Sequence, residues 1–214
     1  WAKQMGGTSY DYGNSIAADN SGNVYTTGYF CGTADFDPGT NVYNLISFSV
    51  GPSDIFVSKL DAWGNFVWAK QMGGISSDEG LSIALDVSGN VYTCGFFEGL
   101  SDFDPVGGGY YGSAVGGRDI FVSKSDISGN LLWAITIGGI SFDYAYSIAV
   151  DAFENVYTTG NFSGTADFDP GSGNTNLTSK GGTTADVFIS KIDAYGNFVW
   201  AGQMGGTSYD IGYS

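Results

Sequence analysis

The chain has 214 residues, among them 35 Gly, 14 Tyr and 15 Phe, and its net charge is −15. Its only arginine, Arg118, and its few lysines form no basic patch that could neutralise phosphates, which excludes nucleic-acid binding. No apolar run approaches the roughly 18 residues of a membrane span, so we expect no membrane insertion. The many aromatic residues and glycines favour an acidic, extracellular all-β protein.

One seven-residue motif occurs four times in the chain. The segment Trp1–Gly7 returns at Trp68, Trp133 and Trp200, so the copies begin 67, 65 and 67 residues apart. A period in this range indicates stacked supersecondary units that bury their apolar faces against one another. Function is therefore to be sought on a surface built by repetition.

Each period contains four short runs rich in β-branched and aromatic residues and bounded by Gly, Asn and Asp. Such runs are typical of hairpin strands. The pattern predicts strands at 14–19, 23–30, 54–60 and 65–72, at 81–86, 90–97, 119–125 and 130–137, and at 147–151, 155–162, 186–192 and 197–204.

The hairpin turns share the motif Asp-x-x-Gly-Asn. It begins at Asp19, Asp61, Asp86, Asp126 and Asp193, and Asp151-x-x-Glu-Asn155 is the one departure. Aspartate bonds forward to backbone N–H groups, and Gly is free to take positive φ, so the motif favours a tight turn. Calcium binding by these aspartates is the alternative.

The third strand of each unit is apolar on both faces, as in Ile55-Phe56-Val57, so something must cover it from either side. Four-stranded antiparallel sheets packed face to face around an axis meet this requirement. A sandwich would instead expose one face of most strands. We therefore expect an all-β fold, a β-propeller made of four-stranded antiparallel blades.

The strand count predicts three complete blades in an open array. Blade 1 takes residues 8–72, blade 2 takes 73–137 and blade 3 takes 138–204. Residues 1–7 form an orphan outer strand of a preceding blade, and 205–214 start a next one. We expect both ends to pair with further propeller blades, from the same polypeptide or from other copies.

In a meander of this kind the hairpin turns lie on one side of the array. The linkers between blades and the inserts between strands two and three lie on the other side, here called the insert side. The inserts differ in sequence while their flanks hardly change, and rigid scaffolds place binding in variable loops. We predict a ligand face here, formed by Tyr10, Tyr12, Tyr110, Tyr111, Phe142, Tyr144 and Tyr146.

These aromatics suit stacking on sugar rings, and the amides and acids near them suit hydrogen bonding. The alternative is that they wedge neighbouring blades together.

Each insert opens with the motif Asp-Phe-Asp-Pro. Its carboxylates could supply oxygen ligands to Ca²⁺, although two side chains are too few alone. In the other interpretation, Phe anchors the insert while the carboxylates cap a turn. The candidate calcium ligands are Asp35, Asp37, Asp102, Asp104, Asp167 and Asp169.

The chain contains no histidine, which removes the commonest general base and any Ser-His-Asp arrangement. Its three glutamates, Glu79, Glu98 and Glu154, stand at unrelated positions of the repeat, whereas a glycosidase needs two carboxyl groups at one cleft. We expect no catalytic residues and no enzyme; a carbohydrate-active enzyme is the less favoured alternative.

The units now described resemble the bacterial β-propeller repeat family called SBBP. The resemblance rests on Ser-Ile-Ala-x-Asp-x-x-Gly-Asn-Val-Tyr-Thr-x-Gly-x-Phe, which starts at Ser15 and Ser82, on Asp-Phe-Asp-Pro-Gly, and on the Asp-Ile-Phe-Val-Ser-Lys segment. NHL propeller repeats are similar more loosely.

The resemblance implies a secreted or surface-displayed bacterial protein. We expect a binding or adhesion scaffold whose partner is carbohydrate or protein at the cell surface. A structural subunit of a larger surface assembly or filament, joined by β-strand pairing, is the alternative.

Overall fold

The computed structural model describes residues 1–49 and 51–214. These residues form β-strands and no helix, so none of their segments is a helix that could cross a bilayer. In chain order the strands are β1 (Gly6–Gly7), β2 (Asp11–Ala18), β3 (Val24–Phe30), β4 (Thr33–Asp35), β5 (Asn44–Ile46), β6 (Asp54–Leu60), β7 (Phe66–Gly74), β8 (Glu79–Leu85), β9 (Val91–Asp102), β10 (Tyr111–Ser125), β11 (Leu131–Gly139), β12 (Asp143–Val150), β13 (Val156–Ser163), β14 (Thr165–Asp167), β15 (Asn176–Thr178), β16 (Ala185–Ile192) and β17 (Phe198–Met204).

Three four-stranded antiparallel meanders carry the fold. Unit 1 is β2-β3-β6-β7, unit 2 is β8-β9-β10-β11 and unit 3 is β12-β13-β16-β17. All twelve predicted strands are present. The first strand of each unit starts two to four residues earlier than predicted, because a one-residue bulge at Asn14, Leu81 and Tyr146 lets pairing continue past an irregular step.

The inserts share one hairpin in all three units. In units 1 and 3 it forms the short pairs β4-β5 and β14-β15, in which Asp35 pairs with Asn44 and Asp167 with Asn176. In unit 2 the same hairpin continues β9 and β10, and Asp102 pairs with Tyr111. The Asp-Phe-Asp-Pro motif lies at the tip of each hairpin.

A Gly-Gly pair at the end of the fourth strand of units 1 and 2 crosses to the insert of the next unit. Gly73 pairs with Asp102, and Gly138 pairs with Asp167. Gly6 pairs with Asp35 in the same way, so this part of the segment 1–7 finds its partner inside the chain. Gly6 and Gly7 thus depart from the prediction that segment 1–7 pairs outside the chain, and residues 1–5 form no strand.

The core lies between consecutive units. One cluster joins Tyr25 and Ile55 of unit 1 to Phe97 and Phe121 of unit 2, and a second joins units 2 and 3. All seven residues of β6 are buried, because unit 2 covers one of its faces and the cluster around Phe36 covers the other. The units therefore pack face to face, as the apolar third strands predicted.

Candidate ligand-binding surface

The hairpin turns are held by their aspartates. In the turn at Asp86, Oδ1 accepts the backbone N–H groups of Ser88 and Asn90, both at 2.9 Å. Oδ2 accepts the Asn90 side-chain amide at 2.7 Å and the hydroxyl of the buried Tyr92 at 3.1 Å. At Asp61, hydrogen bonds from Asn65 hold the carboxyl pKa below its ordinary value. These side chains serve as turn caps.

The Asp-Phe-Asp-Pro motifs have the same construction. Oδ1 of Asp35 accepts the N–H groups of Asp37 at 3.0 Å and Tyr43 at 2.8 Å, and Oδ1 of Asp37 accepts Gly39 N–H at 2.8 Å. Phe36 is buried edge-on against Phe30. Equivalent bonds and buried rings recur at Asp102, Phe103 and Asp104 and at Asp167, Phe168 and Asp169.

Metal ligation by these carboxylates stays a prediction. Within residues 1–49 and 51–214 no three Asp, Glu or Cys side chains gather closely enough to hold a metal ion. A calcium ion here would need backbone oxygens or water to complete the six to eight ligands that it takes.

Buried carboxylates that no sequence motif predicted flank the Gly-Gly junctions. A Cβ placed on Gly73 would lie 3.1 Å from Asp54 Oδ1 and 3.0 Å from Asp78 Oδ2, so both carboxylates face this glycine. Burial raises the pKa of Asp54 to about 6 and that of Asp78 to about 7. At the next junction, burial likewise raises the pKa of Asp119 to about 6 and that of Asp143 to about 7.

Asp54 and Asp78 differ in how fully their carboxylate oxygens are hydrogen-bonded. Asp78 accepts Gly74 N–H at 2.7 Å, the Ser101 hydroxyl at 2.8 Å and Glu98 N–H at 3.1 Å. Asp54 Oδ2 accepts the Gln71 side-chain amide at 2.6 Å, whereas Asp54 Oδ1 is buried without a partner among the described residues. Asp11, Asp78, Asp143 and Asp210 recur at equivalent positions of the repeat, and this recurrence is the sequence pattern that could have revealed the junctions.

The seven predicted aromatic residues do not form one cluster. Tyr12 stacks on Tyr29 in unit 1, with ring centroids 4.9 Å apart. Tyr10, two residues before Tyr12, is exposed. Tyr110 and Tyr111 lie at the tip of the unit 2 insert, where both are exposed. The remaining three, Phe142, Tyr144 and Tyr146, line a single pocket of about 490 Å³ at unit 3.

The only arginine lies at the junction of units 2 and 3. Its guanidinium bonds Glu98 at 2.6 Å and the Tyr144 hydroxyl at 3.3 Å, and it sits 4.2 Å above the Phe96 ring. These contacts close the junction with packed side chains. The corresponding place at the far side of unit 3 is the pocket, where Asn161 stands in the position of Phe96.

Comparisons with known proteins give two partial matches among curated sequences. An uncharacterized WD repeat-containing protein, L264 of Acanthamoeba polyphaga mimivirus, is 32% identical over 114 residues, which are 47% of this chain and 8% of that protein. Regulatory protein FlaEY of Caulobacter vibrioides is 27% identical over 110 residues, 51% of this chain and 12% of that protein. The chain thus spans about a tenth of the length of these relatives.

Among solved structures, a protein of unknown function from Bacteroides caccae aligns with 90% of this chain and 81% of its own, at 10% identity and a TM-score of 0.28. Residues 1–29 match the model of the SBBP family, described as a beta-propeller repeat. The motifs within this matched segment recur in all three units, at Ser15, Ser82 and Ser147. Residues 1–29 are therefore similar to a β-propeller repeat of the SBBP family, and the chain repeats the motifs of that segment.

Proposed function

We propose that the chain is a non-enzymatic binding scaffold outside the cell or on its surface. In this proposal residues 8–72, 73–137 and 138–204 are three blades of an open β-propeller array. The insert side is the ligand face, and the partner is carbohydrate or protein at the cell surface. The SBBP resemblance and the relatives named as WD-repeat and regulatory proteins support a repeat scaffold.

The proposal rests on one observation: the contacts that hold the units together repeat from unit to unit, whereas side chains on the insert side differ. The turn caps, the buried insert Phe and the Gly-Gly pairing are the same at every unit. Equivalent insert-side positions, in contrast, hold different chemistry. They are Tyr29, Phe96 and Asn161 in the second strand, Ser53, Arg118 and Ala185 directly before the repeated aspartate of the third, and Tyr12, Glu79 and Tyr144 in the first.

Burial argues against catalysis at the junction carboxylates. A pKa near 7, as at Asp78 and Asp143, is suited to acid–base chemistry. Both side chains are fully buried, however, and a general acid or base must reach its substrate within hydrogen-bond distance. Their place in every junction instead favours a role in joining units.

The test uses the labelled chain and intact bacterial cells. We expect binding that periodate abolishes if the partner is carbohydrate, or that protease abolishes if it is protein. Tyr12→Ser, Tyr111→Ser and Phe142→Ser on the insert side should together weaken binding. The control is Phe153→Ser, a residue 83% exposed on the turn side. Binding lost only in the control, or no binding to any cell, would reject the proposal.

The alternative, a subunit of a larger assembly, is favoured by how the two ends dock. Trp1 donates its ring N–H to Ala62 O at 3.0 Å, as Trp68 does to Ile127 O at 3.2 Å. Asp210 N–H bonds Ala185 O at 2.9 Å, as Asp78 N–H bonds Ser53 O at 2.8 Å. These repeated contacts support the proposal that 1–7 and 205–214 belong to adjacent units.

Sedimentation velocity separates the two proposals. A scaffold that only binds ligands stays monomeric at all concentrations, whereas an assembly subunit associates. Association that survives when Trp1→Ala and Met5→Ala are introduced would place the contact away from the N-terminal segment.

A further inference from the structure

A pocket of about 440 Å³ lies between units 2 and 3, at the sheet edge formed by the fourth strand of unit 2. This strand, β11, contributes Trp133 and Ile135 to the pocket wall. The insert tip of unit 3 contributes residues 169–173, and the last hairpin turn of unit 3 contributes Tyr195. Both units have all four strands, so the pocket is enclosed by neighbours that the structure describes.

The chain's own lysine side chains lie at the equivalent place elsewhere. A Cβ placed on Gly129 would lie 3.1 Å from Lys70 Cε and 3.1 Å from Trp68 Cδ2, so the lysine stem crosses this turn beside the tryptophan. Lys3 Cε likewise lies 2.9 Å from a Cβ placed on Gly64. The cavity that Lys70 lines between units 1 and 2 has a volume of only about 30 Å³.

Ile135 stands in the position of Lys70 at the junction of units 2 and 3. Its Cγ2 lies 3.4 Å from a Cβ placed on Gly196, so the side chain reaches the turn, but isoleucine has neither the outer methylene nor the ammonium of lysine. Gly171 also stands where unit 2 has Val106. The two shorter side chains open the pocket and remove the positive charge.

Lys70 changes the electrostatics of the turn that it crosses. Burial raises the pKa of Asp126, but hydrogen bonds from Asn130 and the charge of Lys70 outweigh burial and leave that pKa below its ordinary value. At Asp193, the equivalent aspartate of unit 3, burial is opposed by hydrogen bonds alone. A cation bound in the pocket would supply the charge that Ile135 does not.

The pocket lining supplies aromatic rings and one accessible carboxylate. Tyr195 is 81% exposed and Tyr110 is 46% exposed. Trp133 and Phe198 add two further rings. Asp169 is partly exposed, and no described residue donates a hydrogen bond to its Oδ2, whereas its Oδ1 caps the insert turn. None of the described residues that line the pocket is a lysine or an arginine, so aromatic faces and a carboxylate attract a cation and disfavour an anion.

We infer that this pocket binds an alkylammonium group, carried by a lysine side chain or by a free quaternary ammonium compound. The cation lies against the exposed rings and near Asp169 Oδ2, and its alkyl groups pack on Trp133, as the stem of Lys70 packs beside Trp68. The volume falls in the range of about 300–1,000 Å³ that small-molecule sites occupy. The inference rests on the proposed binding function and names the ligand chemistry and the site.

The experiment titrates the whole chain with N-acetyl-lysine methylamide and with tetramethylammonium at neutral pH, using NMR chemical shifts and calorimetry. We expect at least one to bind, with an affinity that falls as salt concentration rises. N-acetyl-norleucine methylamide has the alkyl chain of lysine without the ammonium and should not bind measurably. Tighter binding of the lysine compound identifies a protein side chain as the ligand, and tighter binding of tetramethylammonium identifies a free quaternary ammonium compound.

Matched variants locate the site. Ile135→Lys, which copies unit 1, should fill the pocket with the chain's own ammonium and abolish binding. Tyr195→Ser and Asp169→Asn should each weaken binding about two- to fivefold. The controls are Trp63→Ser, at the equivalent turn position of unit 1, and Asp104→Asn, at the equivalent insert position of unit 2, and both should leave the affinity unchanged. Thermal melting reports whether each variant is folded.

The inference is overturned if neither ammonium compound binds at millimolar concentration, if the norleucine compound binds equally well, or if binding persists in folded Ile135→Lys. Binding to cells by a chain that binds neither ammonium compound would overturn only this inference, and the proposed scaffold function would stand.

Discussion

The aspartates of the turns and those of the junctions differ in what surrounds their carboxylates. A turn aspartate such as Asp151 is reached by several N–H donors, and these hydrogen bonds, above all from Asn155, lower its pKa. A junction aspartate such as Asp54 lies in the core with one oxygen unpaired, and burial raises its pKa. The same residue type therefore caps a turn in one place and titrates near neutrality in the other.

The turn caps differ in one testable respect. Asp86 holds the buried hydroxyl of Tyr92 in addition to its turn, whereas Asp61 bonds only its own turn. We expect Asp86→Ala to lower the free energy of unfolding by about 1–3 kcal/mol, because it leaves a buried donor unpaired. Asp61→Ala should cost less. Urea denaturation of both variants measures the difference; equal losses would mean that the Tyr92 hydroxyl finds another partner.

At the scale of strands, the Gly-Gly pair requires glycine for a steric reason. A Cβ on Gly74 would lie 2.1 Å from the backbone oxygen of Leu100, and one on Gly7 would lie 2.0 Å from that of Thr33. The end of each fourth strand can thus approach the next insert only without a side chain. This pairing ties each unit to the one that follows it.

We expect Gly74→Ala to destabilise the chain by about 1–3 kcal/mol, because the backbone of the junction must move apart. Gly202→Ala is the matched control, since a Cβ there meets nothing within 4 Å. It should change the free energy of unfolding by less than about 0.5 kcal/mol. Denaturant titration of both variants tests the pair. A neutral Gly74→Ala would show that the junction tolerates the added atom.

The sequence predicted the strands well and the junctions poorly. Strands and turns depend on local patterns, such as the apolar run in β6 and the Asp-x-x-Gly-Asn turns, so they could be recognised residue by residue. The pairing of Gly6 with Asp35 joins residues of different elements, and no local pattern reveals it. The pair Asp54 and Asp78 was missed because the two carboxylates face Gly73 together only when two units pack against each other.

At the scale of the whole molecule, the junction carboxylates make stability depend on pH. The pKa values of Asp54 and Asp119 are about 6 and those of Asp78 and Asp143 about 7 in the folded chain, all above the ordinary 3.8. The folded chain consequently binds more protons than the unfolded chain between about pH 4 and 7. Linkage requires that its stability increase as pH falls through this window.

We expect the melting temperature to be higher at pH 5 than at pH 8, which thermal unfolding followed by circular dichroism will measure. One kcal/mol corresponds to roughly 2–4 °C for a chain of this size. Below pH 4 the gain ends, and stability falls as turn aspartates with lowered pKa values, such as Asp61 and Asp151, become protonated. A melting temperature that rises from pH 5 to pH 8 would contradict the burial of these carboxylates.

The variant Asp54→Asn isolates one junction. Asparagine keeps an acceptor for Phe48 N–H and the Gln71 amide and places an NH₂ group where Oδ1 is unpaired. It should raise the melting temperature at pH 8 and reduce the difference between pH 5 and pH 8. Asp61→Asn, in an exposed turn, should leave that difference unchanged. An unaltered pH dependence in Asp54→Asn would mean that Asp54 does not contribute to it.

The Gly-Gly pairing also bears on how such a chain changes length over generations. The described junctions share the same Gly-Gly pairing, so one period of 65 or 67 residues starts and ends at equivalent points wherever it is cut. Recombination between repeats of one gene would therefore remove or duplicate a unit and still join residues that already fit one another. Array length can change in this way while the Gly-Gly pairing of the junctions stays constant.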